Sequence, residues 1–348
     1  MSGNGEGLAQ TPRNVSGTQV LATSQAFWNH GQHAIRKLEQ AGCAVVRPPR
    51  FARYDSDELI GLLENCDAVL ASSERYDARV FAACSRLKVV SRVGVGYDAV
   101  DVPAATQAGV VCTNTPGAMV DAVADFTIGL MVACARRLLE LDRIVHEGGW
   151  AELSGVLVSG KTLGLVGYGQ IGQAVARRAL GFSMRVLAYD PLLTGPVEPP
   201  AVMVDLERLI RESDFVSVHA PASAATRGMF GAAQFAAMKP TAFFINTARG
   251  SLVDEPALIE ALESGKIAGA ALDVTCHEPL PPDDPLRRAP RLVLTAHNAF
   301  NAAECVSRMC MMAAENVLAV LSGDIPPYVL NPEVFESPQL RIARGREN

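Results

Sequence analysis

The sequence predicts an α/β protein built from two doubly wound parallel-sheet domains, and three observations carry that expectation. Short apolar runs alternate with amphipathic stretches along most of the chain, the pattern of a parallel sheet covered by helices on both faces. The stretch Lys161–Asp190, KTLGLVGYGQIGQAVARRALGFSMRVLAYD, begins that pattern afresh about halfway along. A length of 348 residues, 49% hydrophobic and 20% charged, suits two substantial cores and is unlike a disordered composition.

Taken in order, residues 1–17 are rich in Gly, Ser and Asn and are expected to be disordered. Strands are expected at Val20–Ser24, Cys43–Arg47, Ala68–Ser72, Leu87–Arg92 and Val110–Thr113. Helices at Gln32–Gln40, Ser56–Glu64, Asp77–Cys84 and Val102–Gln107 fall between them. Right-handed crossovers are the default for such an order. Met119–Leu141, with Asp121 and Asp125 before an apolar run, reads as one long helix passing from the first domain into the second. His146–Ser159 has mixed patterning and reads as a surface arm, a partner contact or an ordinary loop. The second sheet begins at Thr162, and a loop at Pro191–Pro200 follows Asp190. Further strands are expected at Phe215–His219, Ala242–Asn246, Ala268–Val274 and Leu292–Thr295, with helices at Leu206–Arg211, Gly231–Met238 and Glu255–Glu263. Asn301–Leu321 is a final long helix ending near Gly323, and Pro326–Pro327 makes a short extended tail.

Within Lys161–Asp190, Gly167, Gly169 and Gly172 form G-x-G-x-x-G, and Asp190 lies 18 residues beyond the last of them. Gly167 permits the tight turn out of the strand. Gly169 puts no side chain between the backbone and a pyrophosphate, and Gly172 lets the helix lie close to the sheet. The free N–H groups at the helix start, around Gln170, Ile171 and Gly172, then face the pyrophosphate. A glycine triplet alone is a weak signal, but here strand, helix and terminal acid follow in order, so a dinucleotide site is expected. Asp190 can accept hydrogen bonds from both adenosine-ribose hydroxyls and repels a 2′-phosphate. No Arg or Lys occurs between Pro191 and Pro200, which favours NAD over NADP.

Composition narrows the partners. A formal net charge of −6 offers no basic field for nucleic acid, so small anions would depend on local arginines. The eight cysteines form no CxxC pair and read as buried thiols in a reducing compartment, hence a cytoplasmic location. The N-terminal stretch lacks the apolar core of a secretory signal, and Phe126–Ala135, the longest candidate span, is too short for a membrane. Neither HExxH nor any metal-ligand spacing of His and Cys occurs, so no metal is expected. G-x-S-x-G, which a serine hydrolase would want, is missing too.

The residues that read as chemistry follow strands, on the side where open parallel sheets place ligands. Arg249, in FFINTARG, either grips a carboxylate through two parallel hydrogen bonds or pairs with a surface acid. Glu278 in ALDVTCHEP and His297 in LVLTAHNAF are either an acid-held imidazole that carries a proton near neutral pH or a solvated acid and a capping histidine. His277 competes with His297 for the same role. His219, in SVHAP, suits a cofactor-side or turn-capping place. Gly94, Val95 and Gly96 form a glycine-bearing turn whose Val95 and Gly96 N–H groups can hold a small anion, or which is simply a tight connection. Asp98 and Asp101 read as caps of the next helix.

With these residues in view, the chain resembles the D-isomer-specific 2-hydroxyacid dehydrogenases over residues 60–332. The shared motifs are LKVVSRVGVGYDAVD, NTPGAMVDAVADFTIGLM, GLVGYGQIG, SDFVSVHAP, FFINTARGSLVDEPAL, GAALDVTCHEP, TAHNAF and AAENVLAVLSGDIPPYVLNPEV. The resemblance implies a Rossmann NAD-binding domain at 116–297 and a flavodoxin-like substrate domain from 18–115 plus 298–332. It implies Arg249 as the ligand of substrate carboxylate and carbonyl, Glu278 as the partner of the catalytic histidine, His297 as the general acid/base, and Val95 and Gly96 as the loop receiving the carboxylate. On the cofactor side it implies Gly167, Gly169, Gly172 and Asp190 as fingerprint and ribose acid. Ala248 and Asp273 come near the nicotinamide, with His219 and Pro221 on the segment beside the cofactor. It further implies a homodimer formed through the cofactor domain, with the arm after the long helix contributing, and the last helix returning to the first domain.

Three departures stand out. His297 lies in Ala-His-Asn-Ala-Phe rather than after proline and before a glycine-rich turn. Asp125 stands where many members carry Glu. In ASSERYD, Ala71 replaces the arginine with which phosphoglycerate-type members bind substrate phosphate, leaving Arg75 or Arg53 as substitutes. The expected activity is NAD-dependent interconversion of a D-2-hydroxy acid and its 2-oxo acid. The alternatives are a D-3-phosphoglycerate dehydrogenase and an NAD(H)-sensing, corepressor-like interaction protein.

Overall fold

Parallel strands organise both halves of the chain. The computed structural model describes residues 15–342 except Thr194, Pro196 and Glu198. The disorder expected at 1–17 therefore falls, for 1–14, outside the described residues, as does part of the loop Pro191–Pro200. Two compact units divide the chain, Met1–Met119 with Ala303–Asn348, and Val120–Ala302.

The first unit holds β1 Gln19–Ala22, α1 Gln25–His30, α2 Gln32–Gln40, β2 Ala44–Val46, α3 Ser56–Leu63, β3 Ala68–Ala71, α4 Ala78–Ala83, β4 Val89–Arg92, α5 Val102–Gln107 and β5 Val111–Thr113. Its five strands pair in the order β2-β1-β3-β4-β5, the flavodoxin-like 2-1-3-4-5 arrangement. All four residues of β3 are buried, as expected of a strand covered on both faces. The remaining helices follow in chain order: α6 Val120–Arg136, α7 Leu138–His146, α8 Gln170–Ala179, α9 Leu206–Glu212, α10 Ala232–Ala237, α11 Glu255–Glu263 and α12 Ala303–Leu321. Of these α12 belongs to the first unit, packing on α2 and β4. Its buried Asn316 donates to the Asn114 carbonyl (3.0 Å), and the Ser91 hydroxyl donates to the Ala313 carbonyl (3.1 Å). The chain after α12 stays on this unit, where Arg341 donates to the carbonyls of Phe81, Cys84 and Leu87.

The second unit takes β6 Thr162–Val166, β7 Arg185–Tyr189, β8 Ala201–Met203, β9 Phe215–Val218, β10 Phe243–Asn246, β11 Gly269–Leu272 and β12 Leu292–Leu294. They pair as β12-β11-β10-β9-β6-β7-β8, the Rossmann order extended by one strand. The strand order reverses between β6 and β9, which places a crevice above the glycine turn that follows β6.

The expected single helix Met119–Leu141 is two helices. Arg137 adopts a left-handed backbone (φ 53, ψ 37), which breaks the i to i−4 ladder between α6 and α7. Its guanidinium is held by Glu140 through two bonds of 2.9 and 2.8 Å. Helix α1 and the edge strand β8, of six and three residues, are too short to show a period and went unread. The tail after Pro326–Pro327 is not simply extended, since Pro332–Glu336 forms a turn of 3₁₀ helix.

Candidate active site

The glycine turn is built as the sequence demands. Gly167 has φ +92, and a Cβ there would stand 2.7 Å from the Ala220 nitrogen. A Cβ on Gly172 would meet the Gly167 carbonyl oxygen at 2.4 Å, so α8 lies against the turn only because that carbon is missing. In front of Gly169 nothing lies within 4 Å of a would-be Cβ. Gly169 caps α8 with no side chain, so the first N–H groups of that helix are left for a ligand. The Asp190 carboxylate, just past β7, accepts from Tyr168 N–H and Leu192 N–H, both at 3.0 Å, and so joins the turn to the second strand's end. An open cradle, an uncapped helix start and a fixed acid fit the pyrophosphate and ribose of NAD.

His219 directly follows β9 beside Gly167, and its Nε2 meets the Ser217 hydroxyl at 3.0 Å. Desolvation pushes its pKa down from 6.5 to about 4, so its ring is neutral near pH 7. Exposed Pro221 follows, its carbonyl accepting from the Thr226 hydroxyl at 2.7 Å.

Just beyond the carboxyl ends of the neighbouring strands β10, β11 and β12 lie Arg249, Glu278 and His297. His297 Nδ1 lies 2.8 Å from Glu278 Oε2, and Glu278 Oε1 accepts from Thr275 N–H at 3.2 Å. His277 is exposed and its carbonyl accepts from the Thr275 hydroxyl, so His297 and not His277 is the histidine that Glu278 holds. With Nδ1–H donated to the acid, Nε2 is the nitrogen left to exchange a proton. His297 has φ +49, an uncommon backbone for a side-chain-bearing residue. Asp273, 1% exposed, secures it. Its carbonyl accepts from His297 N–H (2.7 Å), and its carboxylate from the N–H groups of Asn298 and Ala299 (both 2.9 Å) and the Thr295 hydroxyl (2.6 Å).

Arg249 follows β10. Its Nη1 donates to the Ala248 carbonyl at 2.7 Å, and its own carbonyl accepts from the buried Asn246 amide at 2.8 Å. Asn246 Oδ1 also accepts from Ala248 N–H at 3.0 Å, so one side chain ties down both flanks of the turn. A Cβ on Gly250 would stand 2.0 Å from the Thr275 carbonyl carbon, which seats the Arg249 turn directly against the loop that leads to Glu278.

In the first unit, Gly94 N–H donates to the Thr115 hydroxyl and Thr115 N–H to the Gly94 carbonyl, both at 3.0 Å, and Asn114 holds the Val95 carbonyl at 2.9 Å. Among the described residues the N–H groups of Val95 and Gly96 have no partner. Asp101 rather than Asp98 is the N-cap residue of α5, its side chain accepting from Ala104 N–H at 3.0 Å. Arg53 Nε donates to the Ser73 carbonyl at 3.4 Å, and Arg75 is exposed.

Asn246 and Glu74 were not singled out from the sequence. Each is a polar residue ending or closely following an apolar strand, FFIN and AVLASSE, and that position was the available signal. Among the described residues no His, Cys, Asp and Glu cluster could hold a metal.

Residues 128–299 match the family model of the D-isomer specific 2-hydroxyacid dehydrogenase, NAD binding domain. A glyoxylate reductase of Korarchaeum cryptofilum is 46% identical over 287 residues, covering 80% of this chain and 86% of that one. Among solved structures, the TT0316 protein of Thermus thermophilus superposes with a TM-score of 0.82 at 39% identity, over 90% of this chain and 100% of that one. D-lactate dehydrogenase with NAD+ from Lactobacillus jensenii gives a TM-score of 0.73 at 27% identity, over 90% and 99%.

Proposed function

The chain belongs to the D-isomer specific 2-hydroxyacid dehydrogenase family, and we propose that it reduces a small 2-oxo acid of the glyoxylate or hydroxypyruvate kind to the D-2-hydroxy acid. It is an NAD-dependent oxidoreductase, with the glycine turn and Asp190 as the residues proposed to hold the cofactor. When bound there, NADH would supply the hydride that reduces C2 of the 2-oxo acid. His297, protonated at Nε2, gives its proton to the oxygen on C2 as negative charge develops there, and the reverse reaction uses it as base. Glu278 orients the imidazole and stabilises its protonated form. Arg249 and the amides of Val95 and Gly96 are assigned the substrate carboxylate, with Arg249 also countering charge on the carbonyl oxygen. Gln170, Ile171, His219, Pro221, Ala248 and Asp273 complete the proposed cofactor side. We assign the unit that carries the glycine turn to NAD and the other to the substrate.

The observation that carries this reading is the 2.8 Å pairing of His297 with Glu278, because binding a nucleotide alone needs no proton relay. Its test is a panel of glyoxylate, hydroxypyruvate, pyruvate and phosphohydroxypyruvate with NADH and, in parallel, NADPH. Reduction of at least one acid with NADH preferred is expected. Tight NADH binding with no acid reduced would favour the interaction-protein reading, and equal use of NADPH would defeat the role given to Asp190.

A homodimer and a cytoplasmic location are part of the proposal. Helix α7 buries none of its residues, and Leu139, Trp150 (89% exposed) and Leu157 follow one another along an apolar arm suited to a second copy. A cavity of about 1030 Å³ lies beside it at the amino ends of β10 and β11, away from Arg249. All eight cysteines are free, in keeping with a reducing compartment, and among the described residues no helix is long and apolar enough to cross a membrane.

A further inference from the structure

The carboxyl edge of the five-stranded sheet carries a buried acid and a half-buried base that the mechanism above does not use. Glu74, 2% exposed, lies in the loop after β3. Its Oε2 accepts from the Thr23 hydroxyl (3.0 Å), at the end of β1, and from Ser72 N–H (3.1 Å). Arg92, half-buried at the end of β4, is the cross-strand partner of Ala71. Its Nη1 donates to the carbonyls of Ala71 (3.3 Å) and Val93 (2.6 Å). The two charged groups therefore grip opposite ends of one peptide, Ala71–Ser72, and stand no farther apart than about 9 Å, given the ~2 Å between a peptide's oxygen and nitrogen. Burial pushes the Glu74 carboxyl above its ordinary range, and hydrogen bonds and the charge of Arg92 offset only part of that rise. The guanidinium also borders the anion loop, since a Cβ on Gly94 would stand 3.0 Å from Nη1.

We propose that Glu74 is a specificity-determining residue: as the buried counter-charge of Arg92 it restricts this edge of the sheet to 2-oxo acids that carry a single negative charge. The inference rests on the 2-oxo acid reductase reading and names its substrate class. One carboxylate finds the unpaired amides of Val95 and Gly96. A second anionic group brought to the same edge meets the field of Glu74, which offsets the attraction of Arg92, and opposing like charges discriminate strongly where water is scarce. Arg53 and Arg75 also flank the loop, but both are exposed and screened by solvent.

The test compares hydroxypyruvate with phosphohydroxypyruvate, which differ only by the phosphate, as kcat/KM of NADH oxidation by the full-length protein. In the wild type the phosphorylated acid should be at least about tenfold the poorer substrate. Glu74→Gln keeps acceptors for Thr23 and Ser72 but removes the charge. It should raise the phospho-to-hydroxy ratio by about tenfold, and adding Arg92→Leu should abolish the rise. A wild type that uses phosphohydroxypyruvate as well as hydroxypyruvate overturns the proposal without any variant. So does an unchanged ratio in a folded Glu74→Gln, or in Glu74→Ser where the amide variant does not fold. Failure to reduce any 2-oxo acid would instead strike the parent reading.

Discussion

Replacing Glu278 by Gln removes one charge from the proton relay while leaving its shape. Two unit charges about 4 Å apart interact by about 1 kcal/mol in bulk water and about 4 kcal/mol at an effective dielectric constant of 20. The side chains of His297 and Glu278 are 39% and 26% exposed, which sets the pair between those limits. After discounting for solvent, about 2 kcal/mol of stabilisation of the protonated imidazole is lost, or about 30-fold in kcat. The amide can also donate to Nδ1 and so favour the wrong tautomer, which makes that figure a lower bound. The assay is the steady-state rate of NADH oxidation with the best acid of the panel, with KM for NADH as the control. A kcat within about threefold of the wild type would refute the reasoning, since the charge would then contribute less than the geometry requires.

Two glycine substitutions separate cofactor binding from folding. Gly172→Ala drives a Cβ to 2.4 Å from the Gly167 carbonyl oxygen and should lower Tm as well as NADH affinity. Gly169→Ala meets nothing within 4 Å, so Tm without cofactor should hold while Kd for NADH rises by about tenfold or more; equal loss of Tm in both would show that the space before Gly169 is not a ligand cradle. His219, with its pKa lowered from 6.5 to about 4, should favour the folded state fully above pH 6.5 and progressively less as pH falls toward 4. The unfolded chain takes up that proton first, a difference of about 3 kcal/mol at most, so His219→Gln should flatten the fall of Tm across this window. The window is separate from that of Asp67 and Asp214, whose carboxyls are held below their ordinary 3.8 by ion pairs and backbone N–H groups that outweigh burial, and whose stabilisation fails only at lower pH. Identical Tm profiles for wild type and variant would contradict the desolvated, neutral histidine.

Most of the two sheets could be read from the chain because their strands are buried on both faces: runs such as AVLA and GAAL carry no polar side chain, and FVSV is buried at all four positions. The fingerprint was legible for the same reason that it works, since glycines at a strand-to-helix turn have few other uses. Local exceptions were not legible. The break at Arg137 depends on a left-handed residue whose cost is offset by Glu140, and nothing in the helical period announces it. Spacing alone did not separate His277 from His297, one beside Glu278 in sequence and the other in space; the resemblance implied His297, and the fold pairs that histidine with Glu278. Asp273, expected near the nicotinamide, also accepts through its carboxylate from the backbone of the His297 loop, a role that spacing does not show. Buried polar residues such as Asp273, Asn246 and Glu74 act through partners 2 to 51 positions away, and periodicity carries no record of such pairs.

The most direct measurement is made on His297→Ala, with NADH affinity followed by fluorescence and hydride transfer by single turnover on the same preparation. The account predicts NADH affinity within about twofold of the wild type and turnover lower by about two to four orders of magnitude. Turnover that survives the loss of this imidazole would contradict it.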